Sequence, residues 1–361
     1  NETERLLKQT ALNCGLFMSF YFAVGWLVDI NTESITKLTN GLSGDLKYGL
    51  SILLSIVWTY IVPIGFTLFV FSDVKRDGGA RSWYKPPRNH KNFAKAIGNF
   101  PAMYGLGMAT NILTLLGFYV VLRLLGDSFD FLNQINTTGH ALPATPSTAV
   151  LIFLMYAIIA PFFEEFWLRG LVWNALKPFG VVFSIFSTAL LFGILHGNIR
   201  QFFYTFALGV ALGYVRYVCN SVLVTTILHA MFNSVAAIAL LLTAASSGAF
   251  QQDYLNDSAD ISTLSPEELE AYSNEIARQD ELHKLFTSLT NLFTVFILIL
   301  MVVGIAAFLR KIPQLKKIKF AQPETTLEPL REKTKWRIFL TSPLMFVLYA
   351  IIIGLAVYAY V

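Results

Sequence analysis

Residues 149–176 read "AVLIFLMYAIIAPFFEEFWLRGLVWNAL". The stretch is long enough to cross a bilayer as a helix, which takes about 20 apolar residues. Its only charges are Glu164, Glu165 and Arg169. Comparable runs recur at roughly Ala11–Val28, Leu50–Phe71, Met103–Leu125, Val181–His196, Phe202–Val218, Val222–Thr243, Leu292–Leu309 and Ile338–Val361. The runs are continuous rather than alternating, which excludes a transmembrane β-barrel. Composition agrees: 55% of the 361 residues are hydrophobic and 14% charged, against roughly 45–50% and about 25% in soluble domains. The fold class expected is all-α, a polytopic transmembrane bundle of about nine spans.

Lys and Arg placement sets the expected orientation. With the N-terminus inside, cytoplasmic segments and span ends collect twenty of the 27 basic residues and the outer loops five, with Arg123 and Arg169 inside spans. That bias predicts a cytoplasmic N-terminus and an outer C-terminus. The net charge of +4 then reflects topology and contact with anionic lipids at the cytoplasmic basic loops, and no nucleic-acid partner is expected. Ala11–Val28 is too long for a signal peptide and has no small-residue exit, so it is taken as a span. Cys14 and Cys219 lie in or beside spans, and no disulfide is expected.

Three regions follow: 1–146 with three spans, 147–243 as a four-span core, and 244–361 with an acidic outer linker and two further spans. Residues 253–284 are acidic. In "SPEELEAYSNEIARQDELHKLF", Ser265 can cap a helix, Pro266 suits its first turn and Glu268 stands three residues after the cap. Leu269, Tyr272 and Ile276 follow at helical spacing, predicting an amphipathic helix at the outer surface. Residues 310–337 are basic and predict a strap on lipid headgroups. Asn136-Thr137-Thr138 fits a glycosylation acceptor, a match too short to carry weight.

Charge inside hydrocarbon costs about 2.5–3.5 kcal/mol per residue and usually faces a cavity. Glu165 and Arg169 are i,i+4 and can pair on one helix face, whereas Glu164 points about 100° away. Arg169 would then hold Glu165 while Glu164 handles protons. His196 closes "FGILHG" one turn after Phe192. His229 and Asn233 share a face of the seventh span. With Lys177, Val181 and Asn220 as cytoplasmic edges, Glu164 lies about 20 Å deep, His196 about 22 Å, His229 about 14 Å and Asn233 about 20 Å. The fourth, fifth and seventh spans thus deliver acid, imidazoles and amide to similar depths. Such a set suits water-driven hydrolysis, with a carboxylate and His activating water and a second His and Asn donating to an oxyanion. His196, His229 and a Glu equally match the ligand set of a catalytic zinc site, so one zinc ion or none remains open.

The ordered motifs Glu164-Glu165-x-x-x-Arg169, Phe192-x-x-x-His196 and His229-x-x-x-Asn233 resemble the CPBP (Abi) intramembrane proteases, which include the type II CAAX prenyl endopeptidases. Gly209 and Gly213 of "FALGVALGYVRY" and the approach "SVLVTTILHAMFN" are also similar, over roughly residues 147–240. Trp167-Leu168 departs from the family's more usual hydrophobic-Phe. The resemblance implies that Glu164 with His196 activates water and that His229 with Asn233 stabilises the oxyanion. It further implies a membrane-embedded or lipidated peptide substrate and a multi-pass protein of the bacterial cell membrane. Two other classes stay in view: a non-catalytic membrane regulator or scaffold of the same fold, and a proton-coupled transporter. Transporters often carry inverted repeats, and no repeat is evident. No His-Glu-x-x-His occurs, and "GLSG" at 41–44 has the composition of a turn rather than of a serine nucleophile.

Overall fold

The computed structural model describes residues 1–30, 41–42, 44–72, 80–87, 89–124, 145–247, 265–315, 317–321, 325, 327–346 and 348–350. The possible glycosylation acceptor, Ser43 of "GLSG", residues 253–264 of the acidic stretch and the end of the ninth expected span fall outside these residues.

Among the described residues every regular element is helical. The helices are α1 (Glu2–Ile30), α2 (Gly44–Ile56, running through Val57–Ile61 into Val62–Val70), α3 (His90–Gly98), α4 (Phe100–Leu124), α5 (Pro146–Phe179), α6 (Val181–Leu195), α7 (Ile199–Cys219), α8 (Val222–Ser246), α9 (Pro266–Leu315) and α10 (Glu332–Leu340). Seven of them, α1, α2, α4, α5, α7, α8 and α9, are long and apolar enough to cross a membrane. The fifth expected span is α6, whose 15 residues reach only about 22 Å at 1.5 Å per residue. The ninth begins as α10, and residues 351–361 lie outside the described set.

Side-chain caps fix several helix starts. Thr145 and Thr148 form a reciprocal capping box at α5, and Asn198 accepts from Arg200 N at 2.9 Å to start α7. Asn220, at φ 46°, turns the chain from α7 into α8, and its Oδ1 accepts from Arg216 at 2.6 Å. The predicted box at Ser265 is present: its backbone N donates to Glu268 at 2.8 Å and its hydroxyl accepts from Glu268 N at 3.3 Å. The helix it starts differs from expectation. The acidic amphipathic segment and the eighth span are one continuous helix of 50 residues, about 75 Å long. Nothing from Glu267 to Val303 is Gly or Pro, so a change of environment along it does not interrupt the helix.

Two glycine-lined crossings hold the bundle. Where α4 meets α9, Gly105 and Gly304 bring backbone against backbone; a Cβ on Gly304 would stand 2.9 Å from Gly105 N. Close approach through small residues is how helices gain packing in lipid, where no hydrophobic force draws them together. Gly304→Val is expected to lower stability by about 1–3 kcal/mol through overpacking, read as a lower thermal midpoint in detergent. At α6–α7, a Cβ on Gly209 would lie 2.9 Å from Ala189 Cα, and one on Gly213 3.3 Å from Ile185. These are the two glycines that the sequence singled out.

Aromatic side chains lock α1 and α2 onto α5. Trp167, fully buried, meets Phe17 edge-on at 5.2 Å, Tyr21 edge-on at 5.7 Å and Tyr60 stacked at 5.9 Å.

Candidate active site

α5 is not a uniform α-helix. π-helical turns at Leu154–Ile159 and Phe166–Val172 flank the α-turn Ala160–Glu165 that carries both carboxylates. The first has a cause in the sequence: Pro161 lacks the N–H that an i→i−4 ladder needs, and its ring crowds the preceding turn. Ala160 N–H accordingly reaches back to Met155 O, five residues away. Such turns concentrate at functional sites because they re-aim side chains.

Arg169 is fully buried and braces the site from below. Its Nη1 donates to Glu165 Oε1 at 3.0 Å and its Nη2 to Gly209 O at 3.0 Å, while its guanidinium stands 4.8 Å from the Phe192 ring centre. Arg216 of α7 donates in turn to Arg169 O at 3.0 Å. Gly209 therefore lets α6 approach α7 and supplies an acceptor for Arg169.

Glu165 has a second partner that helical spacing alone does not foretell. His229 of α8 places Nδ1 3.1 Å from Glu165 Oε1 and Nε2 3.8 Å from Glu164 Oε2. One imidazole thus stands between two carboxylates. A carboxylate oxygen accepts, so the Glu165 contact fixes a hydrogen on Nδ1 and aims Nε2 at Glu164. The 3.8 Å gap is too long for a direct hydrogen bond and suits a single bridging water. Glu164 Oε2 is buried and has no hydrogen-bond partner among the described residues, although its side chain keeps 13% exposure. The division expected between the two acids is therefore visible in their contacts: Glu165 is tied down and Glu164 has an open oxygen.

His196 caps α6. Its Nδ1 donates to Phe192 O at 2.8 Å, which leaves Nε2 as the lone-pair nitrogen of the neutral ring. Phe192 sits edge-on to both imidazoles, 5.0 Å from His196 and 5.2 Å from His229. An imidazole facing Glu164 is that of His229, in addition to the pairing with His196 that the resemblance implies. Asn233 donates Nδ2 to Tyr156 O at 3.0 Å, tying α8 to the first π turn of α5. Glu164, Glu165, Arg169 and His229 meet directly, His196 shares the Phe192 ring with His229, and Asn233 joins α8 to α5 through Tyr156 O. Residues 146–235 match the family model for Rce1-like type II CAAX prenyl endopeptidases. The Rce1-like segment runs from the start of α5 into α8 and contains all six. It is a family of endopeptidases, so a protease is the activity class that the match supports, within an integral membrane chain of apolar helices. No curated protein and no solved structure matches the chain.

Whether the site fits a zinc ion turns on its donors. Among the described residues no group of three His, Cys, Asp or Glu side chains converges closely enough to hold a metal. His229 has one nitrogen committed to Glu165, and His196 has its Nδ1 committed to Phe192 O. As arranged, the donors do not fit a catalytic zinc.

Two contributors to the Rce1-like site escaped the sequence reading. Gly209 O and Tyr156 O are backbone acceptors, which no side-chain motif reveals. The π turns had a signal in Pro161, a proline within a helical run.

Proposed function

We propose that the chain is an intramembrane endopeptidase that hydrolyses a membrane-embedded or lipidated peptide with water activated by Glu164. The observation that carries this is the open, buried Oε2 of Glu164 beside His229 Nε2. A water bridging those atoms has one acceptor for its proton and one ring to orient it. As its oxygen attacks the scissile carbonyl carbon, its proton passes to Glu164 and the carbonyl π electrons become an oxyanion. Asn233 has a second Nδ2–H beyond the one given to Tyr156, and it serves as the oxyanion donor, while His229 Nε2 accepts the hydrogen that the attacking oxygen keeps. Collapse of the tetrahedral intermediate breaks the C–N bond, and Glu164 returns its proton to the leaving amine. His196, through its free Nε2, helps to hold the water.

Arg169 and Glu165 act by positioning. The pair anchors His229 Nδ1, which fixes the ring plane and tautomer much as a buried acid does for a catalytic imidazole. Anionic lipids are proposed to gather at the basic face of α3, where Lys91 and Lys95 are exposed while Phe93 and Ile97 pack inward.

Isotope labelling tests the reaction. Protein reconstituted in vesicles with a prenylated C-terminal peptide or a transmembrane peptide, in H2¹⁸O, is expected to release a product whose new carboxyl terminus holds one ¹⁸O per cleavage. A fragment without label excludes direct attack by water, and no cleavage of either peptide removes the protease reading.

A further inference from the structure

Among the described residues the chain contains three π-helical turns: two flank the α-turn that carries Glu164, and the third packs a side chain on Phe163 and Trp167 beside it. Two belong to α5. The third, Val57–Ile61 of α2, lies outside residues 146–235, and its single buried side chain is Tyr60. Pro63 explains this turn as Pro161 explains the one in α5, and Val62 N–H reaches back five residues to Val57 O. The Tyr60 ring stacks on Phe163 at 5.0 Å and on Trp167 at 5.9 Å. Those two residues precede Glu164 by one and follow it by three, so they form the wall of α5 next to its carboxylate. On the other side of Glu164 stands His229.

The Tyr60 ring is held by stacking, and no hydrogen bond fixes its hydroxyl. It is 5% exposed, lies within electrostatic range of the Glu164 carboxylate, and makes no hydrogen bond to it. Tyr21 of α1 and Tyr204 of α7 share that range. Tyr60 differs in sitting on a π turn and directly on the Phe163–Trp167 wall. A buried phenol ordinarily finds a hydrogen-bond partner, and an acceptor left without one within its electrostatic range is Glu164 Oε2.

We infer that Tyr60 is a further catalytic residue, contributed by α2 from outside the Rce1-like segment, whose hydroxyl holds the attacking water against Glu164 opposite His229. The inference rests on the hydrolytic reading. It gives the N-terminal spans a chemical role, since α1 and α2 complete the water site as well as enclosing the core.

Tyr60→Phe removes only the hydroxyl and keeps the ring stack, so its thermal midpoint should match wild type, whereas Tyr60→Leu should lower it. On the reconstituted enzyme, Tyr60→Phe is expected to reduce kcat about 100-fold, the scale of a misplaced reactant, with KM within about twofold. An infrared measurement separates this inference from the activity reading. The carboxyl band of Glu164, assigned by its loss in Glu164→Gln, should shift in Tyr60→Phe because the hydrogen-bonded water is disturbed. An unshifted band overturns the inference whether or not the protein cleaves peptide, and a shifted band with unchanged kcat overturns the catalytic role. A shifted band in a wild-type chain that cleaves nothing locates the failure in the hydrolytic reading, and the catalytic role fails with it.

Discussion

Replacing Glu164 by Gln is expected to lower kcat/KM by about 10²–10⁴-fold, the range that a positioned general base contributes, while leaving the fold intact. Gln keeps the volume and one carbonyl oxygen but cannot receive the proton of the attacking water. The stability forecast is specific to the contacts seen. Glu164 Oε2 is buried without a hydrogen-bond partner, so the amide removes a buried charge and breaks no ion pair shorter than 3.8 Å. The thermal midpoint should hold or rise. Peptide cleavage assayed beside thermal unfolding in the same detergent checks both halves. A variant that cleaves at the wild-type rate sinks the mechanism, and a variant that loses activity only because it unfolds assigns Glu164 to structure. Glu165→Gln should behave differently, since Glu165 is tied to Arg169 and His229 at 3.0 and 3.1 Å and its loss disturbs the ring that faces the water.

The legible parts of this chain were those that local chemistry decides. Apolar runs of span length gave the helices, and the Ser265–Glu268 box gave the start of α9 to the residue. The boundary between the acidic segment and the eighth span was misread because polarity changes at that point while helix-forming residues continue from Glu267 to Val303. Solvent preference and backbone conformation are separate properties, and only a Gly or Pro would have marked a break. At the site, the three motifs announced convergence, and the i,i+4 rule gave the Glu165–Arg169 pair. Rotation about each helix axis was not legible. Straight-helix depths put His229 at about 14 Å and Glu164 at about 20 Å, yet their side chains face each other at 3.8 Å. Helix tilt, side-chain reach and the π turns of α5 absorb the difference. His229 standing between two acids is a tertiary outcome that depends on how α8 docks against those turns. Trp167, noted as a departure from the family's usual residue, is the centre of the cage formed by Phe17, Tyr21 and Tyr60.

Arg169→Met is expected to be the most destabilising single change, at about 3–5 kcal/mol, the cost of leaving one partner of a buried ion pair alone. Both side chains are 0% exposed, so water cannot replace the lost guanidinium, and the variant also strands Gly209 O, which accepts from Nη2. The contact with the Phe192 ring face at 4.8 Å goes as well, and that ring is the spacer between the two imidazoles. The double variant Glu165→Gln with Arg169→Met separates charge from shape. Removing the stranded carboxylate should recover most of the lost stability, because a neutral pair has no uncompensated charge to bury, while the Gln carbonyl still accepts from His229 Nδ1. Chemical denaturation in detergent of wild type, the two single variants and the double variant closes the cycle, and a coupling of 0.5 kcal/mol or less, about the additivity limit for independent sites, would show that the pair does not act as a unit. Activity adds a second reading. If Arg169 works by positioning, the double variant should refold the site yet cleave slowly, since a neutral amide that Arg169 no longer anchors orients His229 more weakly than the braced carboxylate does.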